Sequence, residues 1–390
     1  MDVFSQLPNG LPLALHERPQ ARTASVSLWL LAGSRYESNR QPGFAHLLEH
    51  VLFAGTRRHS GRALLERLDD LGARCNAQTG REFLVLYGDT SAEHAPELLR
   101  LLVEMVTEPA FARPDVSREA QVLTLELKHA PNLEERLIAD AWPDHPLGRQ
   151  TGALPIGAGA PGLHDYLAQA RCAARIAVVC DGALDMDAVT DAAAALADLP
   201  AGERPPSVTP TLRTGTRRLN TTAPPQLLWA LQGPGRLQAE AAHWMLLREL
   251  LAGGQTALLR QALRGGMPLA YGYDCRFERF AEAGLLLLRT AGASGRAGAC
   301  GGAVERVFEY LARQGPDADE LRRARTLLES RLDARVDQPL ECLAQLAERA
   351  FWPQLPTEAA LSEALAQIDG PALSAALARA PHRTLWAGAG

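Results

Sequence analysis

The sequence predicts an α+β protein built from two homologous units in tandem, and three observations predict it. The order of strand-like and helix-like segments repeats in the second half of the chain. A stretch dominated by Pro, Thr, Gly and Arg separates the two runs, and an offset of 198 residues sets Gly55 against Gly253. An element order that recurs within one chain is the mark of duplication. The expected boundaries are residues 1–200 for the first unit, 201–225 for a linker and 226–390 for the second.

Taken in order, Leu7 to Leu13 reads as a turn centred on Asn9-Gly10 between short strands. Ala24 to Leu31 alternates, with Val26, Leu28 and Leu30 on one face, as a half-buried strand does. Residues 33–43 are polar and loop-like. From 44 to 54 the chain is apolar and free of Gly and Pro, which predicts a helix. A second amphipathic helix runs from Ala63 to Leu71, closed by Gly72; Phe83 to Tyr87 reads as a strand and Ala92 to Val106 as a long helix. Pro114-Asp115 opens a further helix carrying Glu119 and Glu126. Seven residues are two turns, so both carboxylates project from one face. His145 before Pro146 reads as a turn residue, and Ile176 to Cys180 as a buried strand. The second run has strand 227–232, helices 239–251 and 257–263, strand 283–289, and helices 302–313 and 318–333.

Composition narrows the partners. Net charge is −5, the pI is near 6.1 and no Lys/Arg-rich tract is present, so neither nucleic acid nor an anionic membrane surface is an expected partner. The most apolar segments, Leu285–Leu288 and Ile176–Cys180, are too short to span a bilayer. The N-terminus has no basic region followed by an apolar run, so no secretory signal is expected. Six cysteines stand at 75, 172, 180, 275, 300 and 342 with no C-x-x-C pair. They read as free, mostly buried thiols of a cytoplasmic protein.

The chemistry is concentrated in His46-Leu47-Leu48-Glu49-His50. On a helix, residues four apart share a face, so His46 and His50 can turn two imidazoles toward one metal ion. Imidazoles with a carboxylate suit zinc, which in catalytic sites keeps three protein ligands and one open position. Glu49, alongside but not a ligand, would take the proton from a water there. Two histidines on a helix surface beside a solvated glutamate are the competing reading, and a third ligand has to decide between them. His59, after Arg57-Arg58, reads as a solvated loop residue. The 198-residue offset places Trp244, Leu247 and Arg248 where His46, Glu49 and His50 stand, so the second unit looks like a copy without metal ligands.

H-x-x-E-H, with Glu126 lying 76 positions beyond His50, resembles the pitrilysin/insulinase family of zinc peptidases. Phe53-Ala54-Gly55-Thr56 resembles the family segment after the metal helix. Gly72 with Asn76-Ala77-x-Thr79 is similar to its G-x-x-x-N-A-x-T element, and His145-Pro146-Leu147-Gly148-Arg149 to its H-P-x-G-x segment. Arg264 and Tyr271 match its R-x6-Y motif. The resemblance implies a fold in which each unit is a mainly antiparallel sheet covered by helices, the pair forming half of a clamshell chamber. It implies Zn2+ held by His46, His50 and Glu126, Glu49 as general base, and Glu119 orienting a histidine. Asn76 and Ala77 would lie on an edge strand that pairs with extended substrate. Arg264 and Tyr271 would hold the scissile carbonyl. Two positions depart from the family pattern: Phe83 stands where Thr is usual, and Gly265-Gly266-Met267-Pro268 replaces a charged stretch.

Long family members carry four such units; this chain has two and resembles the short members, which pair two chains. The implied activity is endopeptidase cleavage of unfolded, precursor or leader peptides inside a chamber closed by a second chain, in a homodimer or a heterodimer. The region around Asn76 and the Arg57-Arg58 loop are also similar to the peptidase linked to pyrroloquinoline quinone biosynthesis. The alternative is a catalytically silent peptide-binding or structural partner subunit. Such subunits lose metal residues, whereas His46, Glu49, His50 and Glu126 are all present here.

Overall fold

The computed structural model describes the chain apart from residues 128–131, 156, 158, 222–224, 293–294, 336 and 389–390. The first run of elements is β1 (Asp2–Gln6), β2 (Pro12–Glu17), β3 (Thr23–Leu30), α1 (Phe44–Val51), α2 (Gly61–Asp70), β4 (Arg74–Thr79) and β5 (Leu84–Ser91). It continues through α3 (Ala95–Thr107), α4 (Arg113–Leu127), α5 (Leu133–Ala141), α6 (Ala160–Ala170), β6 (Ile176–Gly182) and α7 (Met186–Ala192). The second comprises β7 (Gly215–Asn220), β8 (Gln226–Pro234), α8 (Ala241–Ala252), α9 (Leu258–Arg264), β9 (Ala270–Arg279) and β10 (Ala283–Gly292). It ends with α10 (Ala297–Arg313), α11 (Ala318–Arg335), α12 (Pro339–Phe351), α13 (Glu358–Gln367), α14 (Gly370–Ala378) and β11 (His382–Gly388).

The duplication is explicit in the topology. The first sheet is ordered β1-β2-β6-β3-β5-β4 and the second β7-β11-β8-β10-β9. Without β1, the two orders are the same permutation. In each, the first and last strands of the unit pair in parallel, β2 with β6 and β7 with β11. The other neighbours are antiparallel.

By its contacts, the chain divides into one unit of Met1–Pro131, Arg149–Pro206 and Val336–Pro353, and another of Asn132–Gly148, Ser207–Arg335 and Gln354–Gly390. This division differs from the expected cut at 201–225 in two segments. Helix α5 packs on β8 and β11 of the second sheet, and α12 on β2, β3 and β6 of the first. Each half of the sequence contributes one helix to the other's sheet, a long-range choice that local pattern cannot reveal. The expected linker also contains β7, which joins β11 by six residue pairs from Gly215 to Asn220. Its Gly-Thr-Arg-Arg-Leu-Asn composition reads as coil, but at a sheet edge only one neighbour has to accept it. Edge strand β9 was likewise not anticipated as an element.

In the first unit, Val26, Leu28 and Leu30 of β3 join Leu47, Leu48 and Val51 of α1 and the leucines of α3 in one core. Trp29, on the opposite face of β3, stacks edge-on against Phe83, whose ring lies 5.6 Å from Phe351 of α12 and 6.1 Å from Trp352. Phe83 thus packs against the end of α12. The second unit has one core around α8, α10 and β10 and another in which Trp142 packs with Leu285, Leu287 and Phe280. Trp142 Nε1 donates to Gln232 Oε1 at 3.1 Å, so the buried indole keeps a partner. Among the described residues, no helix is long and apolar enough to cross a membrane.

Candidate metal centre

Helix α1 exists because its apolar residues form one stripe: Phe44, Ala45, Leu47, Leu48 and Val51 are buried. That leaves His46, Glu49 and His50 on the remaining, half-exposed face. After Val51 the helix tightens to a 3-10 turn, Leu52–Ala54. Gly55, at φ 129° and with Gly61 N only 2.8 Å from where a Cβ would sit, turns the chain away.

Helix α4 packs on α1. Its inner face reads Val116, Glu119, Leu123, Glu126 (spacings of three and four). Val116 and Leu123 are buried, and the two glutamates face the histidines. Glu126 Oε1 lies 4.0 Å from His46 Nε2, and its Oε2 lies 3.7 Å from His50 Nε2. Ligand atoms of His46, His50 and Glu126 all fall within 4.8 Å of one another. Glu119 approaches the other ring nitrogen of His50, Oε2 to Nδ1 3.6 Å.

These residues fit a zinc ion. Tetrahedral coordination at Zn–N and Zn–O lengths of about 2.0–2.2 Å sets neighbouring ligand atoms roughly 3.3–3.5 Å apart. The 3.7 and 4.0 Å separations need only small side-chain rotations to meet it. The donor set of two imidazoles and one carboxylate is a zinc set. Burial lowers the His46 pKa and the nearby His50 adds to this, while Glu49 and Glu126 act in the opposite direction. The net effect favours the neutral imidazole, which is the form that binds metal. The Glu126 side chain is 56% exposed, so the space opposite the rings is open.

Around this centre, the predicted residues are placed as follows. Asn76 and Ala77 lie on β4, the terminal strand of the first sheet. Asn76 Oδ1 accepts from Ala77 N at 2.9 Å, and Thr79 Oγ1 donates to Ala45 O at 3.2 Å, tying this edge to the metal helix. A cleft of about 830 Å³ opens beside the centre, bounded by His50, Phe53, Arg62, Leu65, Arg118 and Glu119. Arg264 and Tyr271 belong to the second unit. The Arg264 guanidinium donates to the Tyr271 carbonyl, and the Tyr271 side chain is exposed. In α8, Trp244 and Leu247 are buried, and Arg248 donates to Cys275 O at 3.0 Å and pairs with Glu249 at 2.7 Å. His59 is not simply solvated: its Nδ1 lies 2.8 Å from Glu104 Oε1. His145 does shape its turn, with Nδ1 accepting from Leu147 N at 3.2 Å. All six cysteines are free, and all but Cys75 are buried.

One residue escaped the sequence reading. Glu37, 3% exposed, points its carboxylate at the start of α1: Gly43 N donates to Oε2 at 3.0 Å and Ala45 N to Oε1 at 2.9 Å. Burial pushes its carboxyl up to about 7, against the opposing pull of those amides and of the Arg149 cation. The signal was an acidic residue six positions before Gly43 in a polar loop, which has no periodicity to betray it.

Comparison with known proteins identifies the family. Residues 13–153 match the family described as Insulinase (Peptidase family M16), and residues 162–328 match the Peptidase M16 inactive domain. The chain belongs to the insulinase-like peptidase M16 family, with an M16 domain followed by an M16 inactive domain. An uncharacterized zinc protease of Rickettsia bellii is 32% identical over 150 residues, 37% of this chain and 36% of that protein. One from Rickettsia felis is 24% identical over 296 residues, 73% of this chain and 72% of that protein. A probable mitochondrial-processing peptidase subunit beta of Arabidopsis thaliana is 35% identical over 148 residues, 37% of this chain and 28% of that protein. The R. bellii and A. thaliana matches thus span about a third of those proteins. The fold is shared with solved structures. A peptidase M16 inactive domain from Pseudomonas fluorescens superposes with a TM-score of 0.90 at 18% identity, covering 100% of this chain and 98% of that one. A Helicobacter pylori protease gives 0.89 at 15%, covering 99% of each.

Proposed function

We propose that this chain is a zinc-dependent endopeptidase that cuts extended, unfolded peptides, working with a second chain. The single observation that carries this is the convergence of His46, His50 and Glu126 from two helices, with Glu49 on the exposed face between the two histidines. Zinc, when bound there, supplies Lewis acidity and lowers the pKa of water at neutral pH. Glu49 accepts a proton from the attacking water and returns it to the leaving amine, a role that typically contributes 10²–10⁴-fold. Glu119 orients the His50 ring through Nδ1.

The outer edge of β4, beside α1, suits an extended peptide added as a strand, with main-chain hydrogen bonds supplying affinity and adjacent pockets selectivity. Arg264 and Tyr271 are assigned to the substrate carbonyl, a role that the exposure of Tyr271 supports. Processing of precursor or leader peptides is the natural substrate class, in keeping with the processing-peptidase relatives. A cytoplasmic location goes with the free thiols.

The test is cleavage of a quenched fluorescent peptide by the purified chain. Activity should be abolished by a chelator, restored by zinc, and lost in Glu49→Gln while that variant retains stoichiometric metal. Cleavage that persists in Glu49→Gln or after chelation refutes the assignment.

A further inference from the structure

The two zinc-ligand histidines are held in different ways. His50 has Glu119 facing its Nδ1 at 3.6 Å. The corresponding nitrogen of His46 is buried and has no hydrogen-bond partner among the described residues. Among the described residues no side chain bonds this nitrogen of His46, so the aim of the ring depends on where the backbone of α1 begins.

That beginning has an unusual construction. A helix start is normally capped by Ser, Thr, Asp or Asn at the N-cap, whose side chain accepts an orphan amide hydrogen. The N-cap here is Gly43, in the left-handed conformation at φ 73°. A Cβ at that position would sit 2.2 Å from Ala153 O. A capping side chain at 43 is therefore excluded twice, by backbone conformation and by close approach. The acceptor comes from elsewhere: Glu37 takes hydrogen bonds from the amides of Gly43 and Ala45. Ala45 immediately precedes His46. Arg149 lends Glu37 its positive charge and is itself fixed by donating from Nη1 to Arg35 O at 2.7 Å. A buried carboxylate at a helix N-terminus is also favoured by the helix dipole.

We propose that Glu37 is the positioning residue for the metal helix, replacing the missing N-cap and setting the direction of His46 toward zinc. This rests on the reading of His46, His50 and Glu126 as ligands. Glu37 touches neither metal nor substrate; it acts through the first turn of α1.

The experiment compares wild type, Glu37→Gln and Glu37→Ala. The carboxamide is nearly isosteric but keeps only one acceptor oxygen, so one of the two amides loses its partner. Zinc affinity is read by competition with a chelating dye, and backbone protection by hydrogen exchange on the metal-free chain. Residues that orient metal ligands typically cost 10–100-fold in affinity when removed. The expected result is weakening in that range, graded from Gln to Ala. Faster exchange should be confined to amides 43–47, and kcat should fall while KM holds. Wild-type zinc affinity and unchanged exchange at 43–47 in Glu37→Gln overturn the proposal. So does a loss of affinity that merely accompanies loss of protection across the whole first unit. If wild type takes up no zinc, the metal reading itself has failed, and the exchange comparison still judges the cap.

Discussion

Glu37 gives a stability effect whose sign and size follow from its surroundings. Its carboxyl titrates near 4.5 when solvated and at about 7 in the folded chain. Below pH 4.5 it is protonated in both states. As pH rises toward 7 the unfolded carboxyl ionises freely, while the folded one is held in a poorly solvated site beneath α1. The folded state therefore binds more protons across this window, and its stability falls with increasing pH. Stability is full on the acid side of 4.5 and has been lost once pH passes 7. A difference of that span corresponds to about 3 kcal/mol. For a unit of this size it is a drop of roughly 6–12 °C in melting temperature. The groups facing the carboxylate do not cancel the effect. Tyr166, its pKa raised well above 10, stays neutral. The assay is calorimetry of the metal-free chain from pH 4.5 to 8, with the Glu37→Gln curve subtracted so that other titrating groups drop out. Parallel curves for the two proteins through that window would refute the reasoning.

Three further outcomes are expected. His50→Ala should lose zinc as well as turnover, and stoichiometric metal in that variant would remove His50 from the ligand set. Glu119→Gln should bind zinc about 10–100-fold more weakly while still folding, as metal titration and melting would show; unchanged affinity counts against its orienting role. Leu48→Ala, which empties a fully buried site on α1, should cost about 2–5 kcal/mol, measured by denaturant unfolding. A cost near zero would mean that α1 is not anchored by its apolar stripe.

Helices α1 and α4 were legible because their stabilising faces recur every three or four residues. Leu47, Leu48 and Val51 mark one core-facing side, and Val116 and Leu123 mark the other. The same periodicity shows in advance that His46 and His50 share a face and that Glu119 and Glu126 share another. Strand β9 was missed although Tyr271, Tyr273, Cys275 and Phe277 alternate strictly with Gly272, Asp274, Arg276 and Glu278, the period of a half-buried strand. Residues 215–220 look like coil in isolation and become β7 only because β11 supplies backbone partners.

By itself, the sequence determined the duplicated order of elements, the two-histidine helix and the pair of carboxylates, because each is written in spacings of a few residues. Only the tertiary structure decided that Glu126 meets the histidines, that α5 and α12 serve the sheets they do, and that Glu37 caps α1 where Gly43 cannot. Those facts depend on residues distant in the chain being brought together by burial of apolar surface, and no local period encodes which distant partner a face will find.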